Sequence, residues 1–185
     1  MSNIVAYALP LNPEPWAIGD VSIRRVPGTK KLSGSVGPNK NLVVYQNAVK
    51  DELTLLGARV LPGDYALRFS FSRQVYGYKV TTDSRTSTRN GADATNLQKG
   101  TEDALQGVLI EDDRDVIRVE SVMIDQGPDA LSFVLIELKY GIKDNEPSHF
   151  GTYGLTAQGI AALELMERRE KERRERKANS NVWRP

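Results

Sequence analysis

DATNLQKGTEDALQGVLIEDDRDV, residues 93–116, is the stretch whose reading decides the fold. Leu97, Ala104 and Leu105 give it an apolar side, and the spacing predicts a helix over Thr95–Leu105, ended by Gly107. Positions 95, 96, 99, 102, 103 and 106 recur at spacings of 3, 4 and 7 and so share one polar face. Thr95, Asn96, Lys99, Glu102 and Asp103 project from that face, with Asp93 just ahead of the helix start. Val108–Ile110 then leads to the acidic turn Glu111-Asp112-Asp113-Arg114-Asp115. If the chain folds back here, Asp112 and Asp113 meet Asp93 near the start of the helix.

Clustered carboxylates cost free energy unless something neutralises them, and a hard divalent cation does so. Magnesium takes one or two carboxylates and completes its shell with waters and phosphate oxygens. A lysine beside such a site binds a phosphate or stabilises a developing oxyanion. These are the parts of a metal-dependent phosphodiester hydrolase. The same residues also fit a plainer role. Asp93 or Thr95 caps a helix, acidic side chains suit its first turn, and EDDRD is a solvated turn. Spacing alone leaves both readings open.

Outward from this stretch, Ile4–Leu9 reads as a first strand stopped by Pro10, Pro13 and Pro15. Residues 17–40 read as a long Gly-, Pro- and Lys-rich loop with one short strand at Val21–Val26. Leu42–Leu56 is expected to be a helix with Val43, Val44, Ala48 and Leu53–Leu56 as its stripe, stopped by Gly57. Tyr65–Ser72 alternates as a strand, with Ala66, Arg68 and Ser70 on one face and Tyr65, Leu67, Phe69 and Phe71 on the other. Val75–Val80 extends this as a hairpin before a polar loop. Val116–Ile124 and Leu131–Leu138 are expected to pair as a hairpin about the turn Gln126–Asp129. Residues 141–155 read as irregular.

Thr156–Ala178 is a helix with a short stripe at Ile160, Leu163 and Met166, followed by almost wholly charged turns. Glu164–Arg168, Glu167–Lys171, Glu170–Arg174 and Glu172–Arg176 are spaced to pair at i,i+4. Residues 179–185 are expected to be a disordered tail, so the division is 1–155, the charged helix 156–178, and the tail.

Composition removes several classes of chemistry. The 185 residues include no cysteine and one histidine, His149, which excludes disulfides, thiolate chemistry and multi-histidine metal sites. Any metal must therefore bind through oxygen ligands. No run reaches the roughly 18 apolar residues of a membrane span, and the N-terminus lacks the pattern of a secretory signal, so a cytoplasmic protein is expected. Net charge is only +1, but residues 1–50, 51–100, 101–150 and 151–185 carry +4, +2, −8 and +3. An acidic centre lies between basic flanks.

The stretch 93–116 resembles the core of the RusA-like Holliday junction resolvases, crossover junction endodeoxyribonucleases common in phages and prophages. Their pattern runs Asp-x-Asp-Asn-x-x-Lys, then Asp-Ala-Leu, then a strand to Asp-Asp-x-x-Val. Asp93, Asn96, Lys99, Asp103-Ala104-Leu105, Asp112, Asp113 and Val116 fall on it in order. The first strand, proline-rich loop, helix and second strand ahead of the motif extend the resemblance to roughly residues 4–140. It implies an α+β fold, a small mixed sheet with packed helices, to which this chain adds the charged C-terminal helix.

It also implies a symmetric dimer that cuts four-way DNA junctions by paired hydrolysis in recombination and repair, using Mg2+ or Mn2+. Asp93 and Asp113 would be metal ligands with Asp112 beside them. Lys99 would contact the scissile phosphate, and Asn96 would orient a ligand or the helix start. The family's second aspartate is Thr95 here, so one carboxylate is missing. Glu102, two turns along the same face, is the candidate substitute; its plainer role is to pair with Lys99 at i,i+3. If the substitution fails, metal binding should be weak, or the protein binds DNA and cuts poorly.

DNA would reach this acidic centre over basic flanks. Arg24, Arg25, Lys30, Lys31 and Lys40 lie in the early loop, and Arg73, Lys79, Arg85 and Arg89 precede the motif. As phosphate contacts they would make affinity fall steeply with salt; otherwise they are solubilising charge. Trp16, Tyr76 and Tyr78 either stack on exposed bases or pack. Other readings are a flap- or fork-specific nuclease, an inert junction-binding protein, and a structural phage protein with an acidic turn.

Overall fold

The computed structural model describes residues 3–16, 21–28, 30, 32–36, 39–75, 92–143, 150 and 154–180. In chain order its elements are β1 (Asn3–Leu9), β2 (Val21–Arg25), β3 (Leu32–Val36), α1 (Lys40–Leu55), β4 (Tyr65–Gln74), α2 (Ala94–Glu102), a 3-10 turn at Asp113–Asp115, β5 (Val116–Gly127), β6 (Phe133–Tyr140) and α3 (Ala157–Ser180). Four strands form one mixed sheet in the order β1-β6-β4-β5, and β2 pairs with β3 apart from it. The fold is α+β, as the motif implied.

The alternating strand Tyr65–Ser72 became the sheet's centre, because all eight of those residues are buried. Leu67, Phe69 and Phe71 face a core shared with α1 and α2. Fully burying side chains of this kind stabilises by roughly 1.5–3 kcal/mol each. α1 starts at Asn39, whose side chain accepts from the Leu42 amide at 3.1 Å, and it buries Leu42, Tyr45, Val49 and Leu53. Leu53 is the member of the expected stripe that is fully buried, whereas Val43 is 39% and Val44 69% exposed. Gly57, at φ +75°, ends the helix where a side chain would be strained.

Three further expectations are corrected. The hairpin between residues 116–124 and 131–138 does not form. β5 runs parallel to β4, while β6 inserts antiparallel between β1 and β4. The sequences explain this: β6 is apolar enough to be buried on both faces at six of its eight positions, whereas β5 leaves Ile117, Val122 and Ile124 about half exposed and takes the edge. The turn after β5 hooks past the end of β4, with the Val75 amide donating to the Gly127 carbonyl at 2.9 Å and Gln74 Nε2 to the Pro128 carbonyl at 2.7 Å.

Second, residues 17–40 hold two strands rather than one, paired from Val21↔Val36 to Arg25↔Leu32 about a turn with Gly28 at φ +77°. Third, α2 ends at Glu102, earlier than expected. Beyond Val75, the expected hairpin and polar loop fall on residues 76–91, outside the described residues. So do His149 and residues 181–185.

α3 covers the other face of the sheet. Met166 packs against Ala8 and Leu135, with Ala6, Ala162 and Leu163 around them; Ile160, expected in the stripe, is 49% exposed. A buried polar knot docks the helix. Arg68 Nε lies 3.1 Å from Glu137 Oε2, and Arg68 Nη1 donates to the Gly154 carbonyl at 2.5 Å. Glu137 Oε1 accepts from the Thr156 amide at 2.8 Å and from its hydroxyl at 2.5 Å. Thr156 Oγ1 in turn accepts from the Gly159 amide at 3.1 Å and caps α3.

Of the expected pairs along α3, Glu172 and Arg176 stand 4.0 Å apart. Glu170 instead bonds Arg173 at 2.9 Å, and Arg173 reaches Glu52 of α1 at 3.8 Å. The helix runs to Ser180, so Asn179 and Ser180 are helical rather than part of a disordered tail.

Candidate active site on helix α2

Asp93 stands where the sequence put it, at the head of α2. Its Oδ1 accepts from the Asn96 amide at 2.8 Å, and its Oδ2 faces Asn96 Nδ2 at 3.4 Å. The carboxylate is thus the N-cap, and Asn96 holds its orientation. Thr95 is exposed beside it.

The acidic turn does not return to this end. After Glu102 the chain wraps around one carbonyl: Leu105 O accepts from Val108, Leu109 and Ile110 amides at 3.0, 2.9 and 3.3 Å. Gly107, at φ +75°, permits the wrap. Asp113 therefore arrives by the C-terminal end of α2, where its charge reaches Glu102 and Asp103, while the far end of β5 meets the helix start, Gln126 Oε1 accepting from the Ala92 amide at 3.2 Å. The expectation that both acidic sources meet at the helix start is corrected by this tight turn.

At that end three carboxylates feel one another. Burial pushes the Glu102 carboxyl up from its ordinary value, and the charges of Asp103 and Asp113 push it further, against a hydrogen bond from Gln98. Asp103 is also raised, first by burial and then by Asp113, although Lys99 and a hydrogen bond from Gln46 oppose this. Asp112 is occupied locally. It accepts from the Arg114 amide at 2.9 Å and Nε at 3.0 Å, and pairs with Nη2 at 2.6 Å. These bonds hold its carboxyl far below the usual range.

Lys99 lies between the two ends of α2. Its Nζ sits 4.1 Å from the centre of the Trp16 ring. α2 is held against α1 by Tyr45, whose hydroxyl is 2.7 Å from Thr101 Oγ1, and by Gln46 Nε2, which donates to the Gly100 carbonyl at 3.1 Å. Asp103 and Trp16 are neighbours of Lys99. The sequence placed Asp103 on the polar face and in the motif without a role of its own, and named Trp16 only as an aromatic that stacks on bases or packs; nothing local tied it to α2.

The basic flank is described only in part. Arg24 and Arg25 lie on β2, opposite Ser33 and Leu32, and Lys30 and Lys40 are exposed. Arg73 is partly buried and donates Nε to the Pro13 carbonyl at 2.9 Å, so it fastens the proline-rich segment to the end of β4. Lys31, Lys79, Arg85, Arg89, Tyr76 and Tyr78 lie outside the described residues.

Among the described residues, no three His, Asp or Glu side chains converge as a cation cage. The donor chemistry still suits a hard cation. Glu102 and Asp103 are oxygen donors whose charged forms are penalised by burial and by the Asp113 charge, a cost that a divalent ion relieves. Magnesium needs only one or two of them when waters and phosphate complete its shell.

No helix among the described residues is long and apolar enough to cross a membrane. A search of curated proteins gives no match. The sequence profile described as Endodeoxyribonuclease RusA matches residues 27–130, more than half of the chain and the whole of α2 with its acidic turn. By that match, around the lysine and carboxylates just described, the chain belongs to the RusA endodeoxyribonuclease family.

Proposed function

We propose that this protein is a divalent-metal-dependent endodeoxyribonuclease that resolves four-way DNA junctions by paired phosphodiester hydrolysis in recombination and repair. The observation that carries the reading is the placement, in a RusA-family chain, of Lys99 on α2 beside the acidic edge that Glu102 and Asp103 at the end of that helix form with Asp113 of the following turn. Branched DNA is the substrate class the family name supports. A homodimer suits it, since two equivalent sites match a junction's two-fold symmetry.

Asp113 and Glu102 would hold Mg2+ or Mn2+ at the acidic edge, with Asp103 and Asp112 beside them, while Asp93 stands at the other end of α2 as its cap. When bound, the cation supplies positive charge for the scissile phosphate and lowers the pKa of a water. The chain's own residues do the rest. Lys99 offers its ammonium to a non-bridging phosphate oxygen as charge builds there. Asn96 keeps Asp93 oriented, and Arg114 keeps Asp112 ionised. Arg24, Arg25, Lys30 and Lys40 belong to the basic flank that meets the DNA backbone, and their contribution weakens with salt.

The test is cleavage of a labelled synthetic four-way junction in Mg2+, beside linear duplex and flap controls and the Asp113→Asn variant. Paired, symmetric nicks lost in the variant support the proposal. Preference for the flap instead makes this a flap nuclease. One observation favours a second reading: Thr95 stands where the family motif has a carboxylate. Junction binding without cleavage, in wild type and variant alike, would establish that reading, an inert junction binder.

A further inference from the structure

We propose that Trp16 is a positioning residue for Lys99: its indole face holds the ammonium away from the neighbouring carboxylates and available to the scissile phosphate. The inference rests on the role given to Lys99 above.

Three observations carry it. First, the backbone that carries the ring is fixed to α2. The Trp16 amide donates to the Asn96 carbonyl at 3.0 Å. A Cβ on Gly100 would stand 3.0 Å from the Glu14 carbonyl oxygen, tighter than ordinary contact, so the segment packs closely on the helix at a glycine. Second, the segment leading to Trp16 is anchored at its other end. Asn12 exchanges bonds with the Gln74 backbone at 2.9 and 3.0 Å, and Arg73 grips the Pro13 carbonyl. The segment that carries the indole is therefore held between β4 and α2.

Third, Lys99 has competitors. Glu102 and Asp103 are its i+3 and i+4 neighbours, the positions at which a helical lysine forms ion pairs, and Asp103 already feels its charge. A lysine bound to those carboxylates would spend its charge on the acidic edge and lose freedom to meet a phosphate. Over an aromatic face it is attracted by the ring but keeps its N–H donors unspent. The geometry favours this second arrangement, with Nζ 4.1 Å from the ring centre.

The test compares Trp16→Phe, which keeps a ring face, with Trp16→Leu, which keeps apolar packing without one. Lys99→Met is measured beside them, and thermal unfolding establishes that each variant is folded. On the four-way junction, Trp16→Leu should lower kcat about tenfold, equivalent to about 1.4 kcal/mol, with KM changed less than about threefold, while Trp16→Phe stays within about threefold of wild type. Equal turnover by the Phe and Leu variants overturns the proposal.

A second readout does not depend on cleavage. In a Trp183→Phe background Trp16 is the remaining tryptophan. Its emission should shift when Lys99→Met removes the cation from the ring, and an unchanged spectrum overturns the proposal. If wild type cuts no branched DNA, the nuclease reading fails and the positioning role falls with it. If wild type cuts and the Leu variant matches it, the positioning role fails alone.

Discussion

A Cβ placed on Gly159 would lie 2.6 Å from Glu137 Oε1. The first turn of α3 rests directly on the buried carboxylate, and only a residue without a side chain allows the contact. Gly159→Ala is expected to lower stability by about 1–3 kcal/mol, the usual cost of overpacking, although alanine favours helices elsewhere. Urea denaturation checks this, and a more stable variant would refute the contact as drawn.

Glu137 is itself fully buried and paired with Arg68, whose guanidinium carbon stands 4.4 Å from the centre of the Phe150 ring. Removing one member of a buried pair strands the other charge at a cost of roughly 3–5 kcal/mol. Glu137→Ala should therefore destabilise far more than Arg114→Ala, which removes the exposed Asp112 pair. A joint Arg68→Met, Glu137→Met replacement should recover much of the loss, because it leaves no uncompensated charge. Equilibrium unfolding of the single and double variants measures both effects.

This knot also shows what the sequence made legible. The existence of most elements followed from period and punctuation: YALRFSFS alternates, and the first strand stops at Pro10. The resolvase motif named α2, Lys99 and the acidic turn. Strand order was not legible, because the pairing of β6 between β1 and β4 depends on which strand can be buried on both faces, a global competition. The preference for a local hairpin between β5 and β6 lost to it. Arg68, Glu137 and Thr156 are far apart in sequence, and nothing local marks them as partners. The path after Leu105 was likewise invisible, so the motif identified the acids but not the end of α2 at which they gather.

Glu102 and Asp103 set a pH dependence. Their folded-state carboxyls titrate above the ordinary range, so the folded chain binds protons more tightly than the unfolded one. The stability this contributes is fully present below the unfolded values, near pH 4, and is lost as pH rises through the folded ones. In metal-free buffer Glu102→Gln and Asp103→Asn should each raise Tm at neutral pH, with the gain vanishing toward about pH 4. A gain that persists at acid pH would point to packing rather than charge.

The same charge excess makes a cation a stabiliser of the folded state. A divalent ion that binds the acidic edge only when the chain is folded adds stability by mass action, about 1.4 kcal/mol at ten times its Kd. For a chain of this length that is a rise of about 3–6 °C in Tm. Mg2+ and Mn2+ should each produce it, and chelation should reverse it. Asp113→Asn should abolish most of the rise, since Asp113 is the acid whose charge reaches both Glu102 and Asp103. Asp93→Asn should alter it less, because Asp93 caps the opposite end of α2 and a capping asparagine still accepts the Asn96 amide. The two variants thus separate the acidic edge from the helix start: a rise lost in Asp93→Asn but kept in Asp113→Asn would move the cation to the N-terminus of α2.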